Sequence, residues 1–93
     1  MVTAIVLISV EPGVVASAAE TLSRIDGITE VYSVAGEWDL VAILRVRRNE
    51  DVADLVTKSL ARVDGVDSTE TLIAFRSYSR YDLERMFSIG MDS

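Results

Sequence analysis

The five residues RIDGI at positions 24–28 return as RVDGV at positions 62–66, and in each copy a leucine stands two residues before the arginine. Each copy ends an apolar pattern of helical spacing and leads into a β-branched run. Glycine tolerates the left-handed backbone that ends a helix, and aspartate beside it is an ordinary turn residue. The repeat therefore predicts two helix-to-strand junctions rather than a functional acidic motif at Asp26 and Asp64.

The residues before each junction have the periodicity of an amphipathic helix. The first helix is predicted over residues 13–25, with Pro12 in its first turn and Gly27 after its end. The second helix is predicted to follow Asn49, a favourable N-cap residue, and to end before Gly65. The apolar stripes are Val14, Ala18, Leu22 and Ile25 in the first helix and Val52, Leu55, Val56, Leu60 and Val63 in the second.

Four short runs rich in β-branched residues flank these helices and predict strands. They span residues 3–10, 29–36, 39–46 and 66–75. The resulting order predicts an α+β, ferredoxin-like βαββαβ fold, a four-stranded antiparallel sheet with two helices on one face. The run 29–36 alternates like an edge strand. We assign residues 1–77 to this domain and residues 78–93 to a C-terminal tail, in which residues 81–87 are expected to form a short helix.

The first and third strands are apolar on both faces. The residues concerned are Ala4, Ile5, Val6, Leu7 and Ile8 in the first and Leu40, Val41, Ala42, Ile43 and Leu44 in the third. The helices cover one face only, and the other face would expose a larger apolar patch than soluble monomers usually carry. We therefore predict an obligate dimer in which two copies pack sheet against sheet with two-fold symmetry.

Composition excludes several functions. The 93 residues include 9 basic and 15 acidic side chains, for a net charge of −6, and neither cysteine nor histidine. A nucleic-acid-binding surface is normally basic, so no direct contact with DNA is expected. The usual metal ligands and general base are missing, and no glycine-rich phosphate loop or metal-spaced acidic cluster occurs, so no metal, cofactor or catalytic residue is predicted. The apolar run 2–9 is too short for a membrane span and lacks signal-peptide features, which predicts a cytoplasmic protein.

The stretch VAGEWDL at residues 34–40 is the most informative candidate site. Backbone N–H groups at Gly36 and Glu37 can bind a carboxylate, and the Asp39 carboxylate can accept hydrogen bonds from an ammonium group. Trp38 adds a large aromatic surface. Together these groups complement an α-amino acid. In the alternative interpretation, Asp39 only completes the turn and Trp38 fills an interface.

Two spaced motifs carry a family resemblance. The first is G-x-x-D followed by three apolar residues, beginning at Gly36, and the second is D-G-V-x-x-T-x-T, beginning at Asp64. In this order, within two βαβ units, they resemble the effector-binding domain of the Lrp/AsnC (feast/famine) family over residues 2–75. The resemblance implies dimers formed through the sheets, assembly into octameric or similar rings, and binding of an amino-acid effector at the contact between dimers.

The resemblance also implies which residues bind the effector. They are Gly36, Trp38 and Asp39 in the loop and Ser68, Thr69 and Thr71 in the fourth strand, and the turn N–H adds Glu37 to the predicted site. Ala35 stands where family members often have threonine, so one hydroxyl group of the family loop is missing. The chain begins directly at the first strand, which implies the stand-alone form without a DNA-binding helix-turn-helix. A role in transcription would then require co-assembly with a full-length Lrp/AsnC regulator.

Two other functions share this architecture. A dimeric α/β-barrel enzyme would convert a small hydrophobic substrate between its sheet and its helices, which requires polar groups that point inward. The first and third strands offer almost none, with Thr3 and Ser9 near the ends of the first. An ACT-like domain also binds amino acids but pairs its sheets differently. The hypothesis that the residues favour is a non-enzymatic, amino-acid-binding regulatory and oligomerisation module.

Overall fold

The computed structural model describes residues 1–78 and residue 80, and within them the chain has the predicted βαββαβ order. The elements are β1 (Val2–Val10), α1 (Val15–Ser23), β2 (Ile28–Ser33), β3 (Leu40–Val46), α2 (Asn49–Lys58), a 3₁₀ turn (Leu60–Arg62) and β4 (Val66–Ile73). The strand order is β2-β3-β1-β4, and all neighbours are antiparallel. The ferredoxin-like fold and the edge position of β2 are confirmed. The predicted tail helix, residues 81–87, lies outside the described residues.

The core lies between one face of the sheet and both helices. Alternate residues of the two central strands are fully buried, namely Ala4, Val6 and Ile8 of β1 and Leu40, Ala42 and Leu44 of β3. They form one cluster with Leu22 of α1, Val52 of α2 and Leu60 of the 3₁₀ turn. Within the described part of the chain, no buried side chain is polar or charged. Burial of apolar surface, worth about 25 cal/mol per Å², therefore holds the helices against the sheet.

The two junctions that repeat in the sequence share one backbone hydrogen-bonding scheme. In each, the residue after the glycine donates its N–H to the carbonyl of the residue two before the glycine, at 3.1 Å. Gly27 and Gly65 have φ angles of +96° and +93°. Their carbonyls accept N–H groups from neighbouring strand ends, that of Gly27 from Arg45 and that of Gly65 from Glu11, both at 2.8 Å. The repeat is therefore explained by turn geometry, as the sequence predicted.

Both helices differ from the prediction at both ends: α1 stops at Ser23, and α2 stops at Lys58, with the predicted last turn forming the separate 3₁₀ turn. α1 begins at Val15, because Gly13 has a φ of +87° that no right-handed helix contains. The N-cap of α2 is Arg48 rather than Asn49, and the Asp51 carboxylate accepts the Arg48 N–H at 3.2 Å. In this bond the carboxylate at the third helical position accepts the N–H of the N-cap residue, which is one half of a capping box. Among the described residues, no helix combines the length and apolar character that a membrane crossing requires.

Candidate functional site

The loop between β2 and β3, residues 34–39, contains the first group of predicted ligand residues. It is longer than the gap between the predicted strands 29–36 and 39–46, because β2 ends before Val34 and β3 begins after Asp39. The N–H of Val34 donates to the carbonyl of Asp39 at 3.0 Å and closes the loop at its base. The loop therefore projects from the end of the sheet as a closed unit.

The tip of this loop is open to solvent. Gly36 and Glu37 are exposed, and Trp38 is half-buried. Gly36 has a φ of +131°, and no atom lies within 4 Å of where its Cβ would stand. Glycine is therefore required here by the backbone conformation rather than by crowding, since L-residues rarely adopt such an angle. The tip leaves room beside its backbone for a small ligand.

Asp39 is bound to the end of β1. Its N–H donates to the carbonyl of Ile8 at 3.0 Å, and its Oδ2 accepts the N–H of Val10 at 2.9 Å. Both distances are those of well-formed hydrogen bonds. One carboxylate oxygen of Asp39 is thus bound to the main chain of β1. The alternative interpretation, in which Asp39 only completes the turn, had anticipated a structural role for this residue. The partner strand was not predicted.

Ser68 and Thr69 lie at the start of β4, across β1 from the loop. Ser68 pairs with Ser9 in the sheet register, and the two hydroxyl oxygens are 2.5 Å apart. Thr69 is half-buried and pairs with Ile8. Because side chains alternate along a strand, the Ser68 and Thr69 side chains point to opposite faces. Two strand spacings separate Ser68 from Asp39, about 10 Å.

Thr71 lies apart from this group. It pairs with Val6 in the middle of β1. It lines a shallow cavity of about 430 Å³ between β4 and α2, together with Val52, Val56 and Ile73. The structure therefore brings the loop residues, Ser68 and Thr69 to one end of the sheet, whereas Thr71 lies against the second helix.

A polar cluster that the sequence interpretation missed lies on the open face, which we define as the sheet face opposite the helices. The Tyr32 hydroxyl donates to the Glu30 carboxylate, and Arg45 Nη1 lies 3.4 Å from Glu30 Oε1. The Tyr32 hydrogen bond and, second, Arg45 hold the pKa of Glu30 below its ordinary value, and the same bond raises the pKa of Tyr32. In the sequence, the only indication of this cluster was that Glu30 and Tyr32 stand two residues apart on a predicted edge strand, which places them on the same face.

The centre of the open face, contributed by β1 and β3, is apolar, as the sequence predicted, whereas Ser68 and Glu70 of β4 add polar side chains beside it. Its central residues Ile5, Leu7, Val41 and Ile43 are only partly buried. At its margins, Leu72 is 45% exposed and Phe75 is 99% exposed. A shallow cavity of about 470 Å³ lies on this face, and its lining includes Ile5, Ile43 and Phe75.

Comparison with known proteins identifies the family to which the chain belongs. The Lrp/AsnC ligand binding domain matches residues 3–83 of the chain. The chain belongs to the Lrp/AsnC family. An uncharacterized HTH-type transcriptional regulator of Pyrococcus furiosus is 37% identical over 76 residues, which cover 78% of this chain and 51% of that protein. The chain thus spans about half the length of the curated Lrp/AsnC relatives it matches.

Two solved structures place the chain among the same proteins. A protein from Thermus thermophilus superimposes with a TM-score of 0.80 at 42% identity, over 86% of this chain and 100% of that chain. A feast or famine regulatory protein from M. tuberculosis, complexed with L-methionine, has a TM-score of 0.71 at 27% identity, over 86% of this chain and 54% of that chain. The relatives with named roles are regulators. These relatives give no support to the enzyme alternative.

Proposed function

We propose that this member of the Lrp/AsnC family is an amino-acid-binding regulatory module whose assembly depends on its ligand. One observation carries the proposal. The exposed loop tip at Gly36 and Glu37 stands on a base anchored to the sheet, inside a chain that a ligand binding domain matches over residues 3–83. A ligand held between dimers shifts assembly by its preference for one assembly state.

The groups near the loop suit the two ends of an α-amino acid. Exposed backbone N–H groups at Gly36 and Glu37 supply donors for a carboxylate. Acceptors for the ammonium group are available from Asp39 and from the Ser68 hydroxyl, and Thr69 adds a hydroxyl on the opposite face of the sheet. Trp38 supplies apolar surface for the ligand side chain. The complex of the M. tuberculosis relative with L-methionine supports this class of ligand.

Assembly is proposed to begin at the open face. Two copies related by a two-fold axis would bury the apolar centre around Leu7 and Ile43 against itself. The exposed Phe75 would then lose contact with water. Dimers formed in this way would combine into octameric or similar rings, with the loops at the contacts between dimers. Thr71 would contribute only if such a contact reached the cavity beside α2.

The chain is proposed to influence transcription without binding DNA itself. Its net charge of −6 opposes contact with phosphates. The relatives it matches include HTH-type transcriptional regulators, and co-assembly with such a full-length regulator would connect the ligand to DNA. We place this role in the cytoplasm, where a regulator of transcription meets free amino acids.

Calorimetric titration with the common amino acids tests the binding proposal. At least one of them should bind, and Ser68→Ala should weaken its binding by about tenfold, the value of one lost hydrogen bond with a charged group. Ser17→Ala is the matched control, because Ser17 is an exposed serine on α1 whose hydroxyl only donates to the Val14 carbonyl. If no amino acid binds, or if both serine variants bind as the wild type does, the proposed site is wrong.

A further inference from the structure

We propose that Asp39 is a positioning residue, whose carboxylate fastens the ligand loop to the end of β1 through the Val10 N–H. The ammonium group of the effector would then be bound by other acceptors, such as the Ser68 hydroxyl, and not by Asp39, which narrows the set of acceptors in the proposed function. This inference rests on the proposed function, because it assigns a role within the same site. It differs from the role that the family resemblance implied, in which the Asp39 carboxylate contacts the effector.

Three hydrogen bonds hold Asp39 in place. Its N–H donates to Ile8, and its carbonyl accepts from Val34, both at 3.0 Å. Its Oδ2 accepts from Val10 at 2.9 Å. The backbone donor, the backbone acceptor and one side-chain oxygen are therefore all bound to the main chain. A carboxylate fixed in this way keeps its orientation whether or not a ligand is present.

The course of β1 explains why Val10 needs this acceptor. Val10 is 8% exposed, and a buried N–H without an acceptor is costly. Its N–H points to the same side as the Ile8 carbonyl, because alternate residues of a strand share their direction. On that side β3 begins only at Leu40, which pairs with Ile8. No backbone carbonyl of β3 is in register with Val10, and the Asp39 side chain takes its place.

The same strand end connects the two parts of the site. The register of β1 with β4 shifts between Ser9 and Val10. Ser9 bonds to Ser68 through its hydroxyl, which also accepts the Ser68 N–H at 3.2 Å. Asp39, Val10, Ser9 and Ser68 thus form a continuous chain from the loop, across β1, to β4. The bond between Asp39 and Val10 sets the distance between the loop tip and the Ser68 hydroxyl.

Two substitutions at Asp39 separate positioning from direct contact. Asp39→Asn removes the charge but keeps a side-chain oxygen that can accept the Val10 N–H. Asp39→Ala removes both. Asp67→Asn is the matched control, because Asp67 is an exposed carboxylate at the start of β4, and its loss changes the net charge equally. A loss of binding in Asp39→Ala is expected both if Asp39 positions the loop and if it contacts the ligand. The comparison with Asp39→Asn therefore distinguishes the two roles.

The first measurement is hydrogen exchange of the Val10 amide, followed by NMR. We expect Asp39→Ala to exchange about tenfold faster than the wild type, and Asp39→Asn and Asp67→Asn to stay within about threefold of it. If the Val10 amide exchanges at the wild-type rate in Asp39→Ala, the proposal is overturned. This measurement needs no ligand, so it tests the bond even if the proposed function fails.

The second measurement is calorimetric binding of L-methionine, and of any other amino acid that binds the wild-type protein. We expect Asp39→Asn to bind within about threefold of the wild type and Asp39→Ala to bind at least about tenfold more weakly. If Asp39→Asn loses binding as completely as Asp39→Ala while its Val10 amide stays protected, the carboxylate charge contacts the ligand and the proposal is wrong. If the wild type binds no amino acid, the proposed function fails, and the Val10 exchange rates alone decide the role of Asp39.

Discussion

At the scale of single residues, two glycines with left-handed backbone differ in their surroundings. A Cβ on Gly65 would stand 2.5 Å from Cγ2 of Val14, whereas a Cβ on Gly13 would meet nothing within 4 Å. The φ angles are similar, +93° and +87°, so any L-residue is strained at either position. Only at Gly65 does that strain combine with a clash, because the second junction packs against the start of α1.

We therefore expect Gly65→Ala to lower the free energy of unfolding more than Gly13→Ala does. The backbone strain costs about 1–2 kcal/mol at either position. Overpacking against Val14 adds roughly 1–3 kcal/mol at Gly65. Urea unfolding of both variants, followed by circular dichroism, measures the difference. If both variants lose the same free energy of unfolding, the contact between the second junction and Val14 does not contribute to stability.

At the scale of elements, periodicity and glycine positions were enough to predict the strands, the helices and their order. They failed at the helix starts, where local hydrogen bonds decide. Pro12 suits a first helical turn, yet Gly13 adopts a conformation that delays α1. At α2 the Asp51 side chain binds the Arg48 N–H, and this contact outweighed the capping preference of Asn49.

The candidate site was only partly predictable for a related reason. The loop residues are contiguous, so the glycine, the aromatic ring and the carboxylate could be recognised together. The bond between Asp39 and Val10 joins residues 29 positions apart. It depends on where β3 begins relative to β1, and no spacing in the sequence reports that register. The cluster of Glu30, Tyr32 and Arg45 likewise depends on the pairing of β2 with β3.

The hydrogen bond between Tyr32 and Glu30, which both lie on β2, gives a pH-dependent prediction. A carboxyl group whose pKa is lower in the folded chain stabilises the fold above its unfolded pKa, and this stabilisation is lost as the pH falls through the folded value. The Tyr32 hydrogen bond is the main cause that lowers the pKa of Glu30. Tyr32→Phe should therefore raise that pKa toward the ordinary value of 4.5 and make the loss of stability below this pH shallower.

An NMR titration of the Glu30 carboxyl group measures this pKa directly. Tyr78→Phe is the control, because Tyr78 is 75% exposed and outside the cluster. It should leave the Glu30 titration unchanged. If Glu30 titrates at the same pH in the wild type and in Tyr32→Phe, the Tyr32 hydrogen bond does not stabilise the charged form of Glu30.

At the scale of the whole molecule, the open face is the basis for the proposed dimer. Its centre consists of half-buried aliphatic side chains, and its margin includes a phenylalanine that is 99% exposed. Covering this face with a second copy would remove that surface from water, a gain of about 25 cal/mol per Å². The charged cluster around Glu30 lies at one edge, where it can stay hydrated.

We expect Ile43→Glu to produce a folded monomer. The substitution places a charge in the centre of the open face, where dimerisation would bury it without a partner. Ala16→Glu is the matched control, because Ala16 is exposed on α1 and away from the sheet face, and it should leave the mass of the assembly unchanged. Sedimentation velocity reports the mass, and circular dichroism confirms that both variants are folded. A dimer of Ile43→Glu would place the interface elsewhere.

Ligand-dependent assembly is the central claim, and light scattering of the purified protein against a panel of the common amino acids tests it most directly. The account predicts a mass of several dimers that changes when one amino acid is added, and it predicts that Asp39→Ala abolishes the change. A simple dimer whose mass is indifferent to every amino acid would contradict the account.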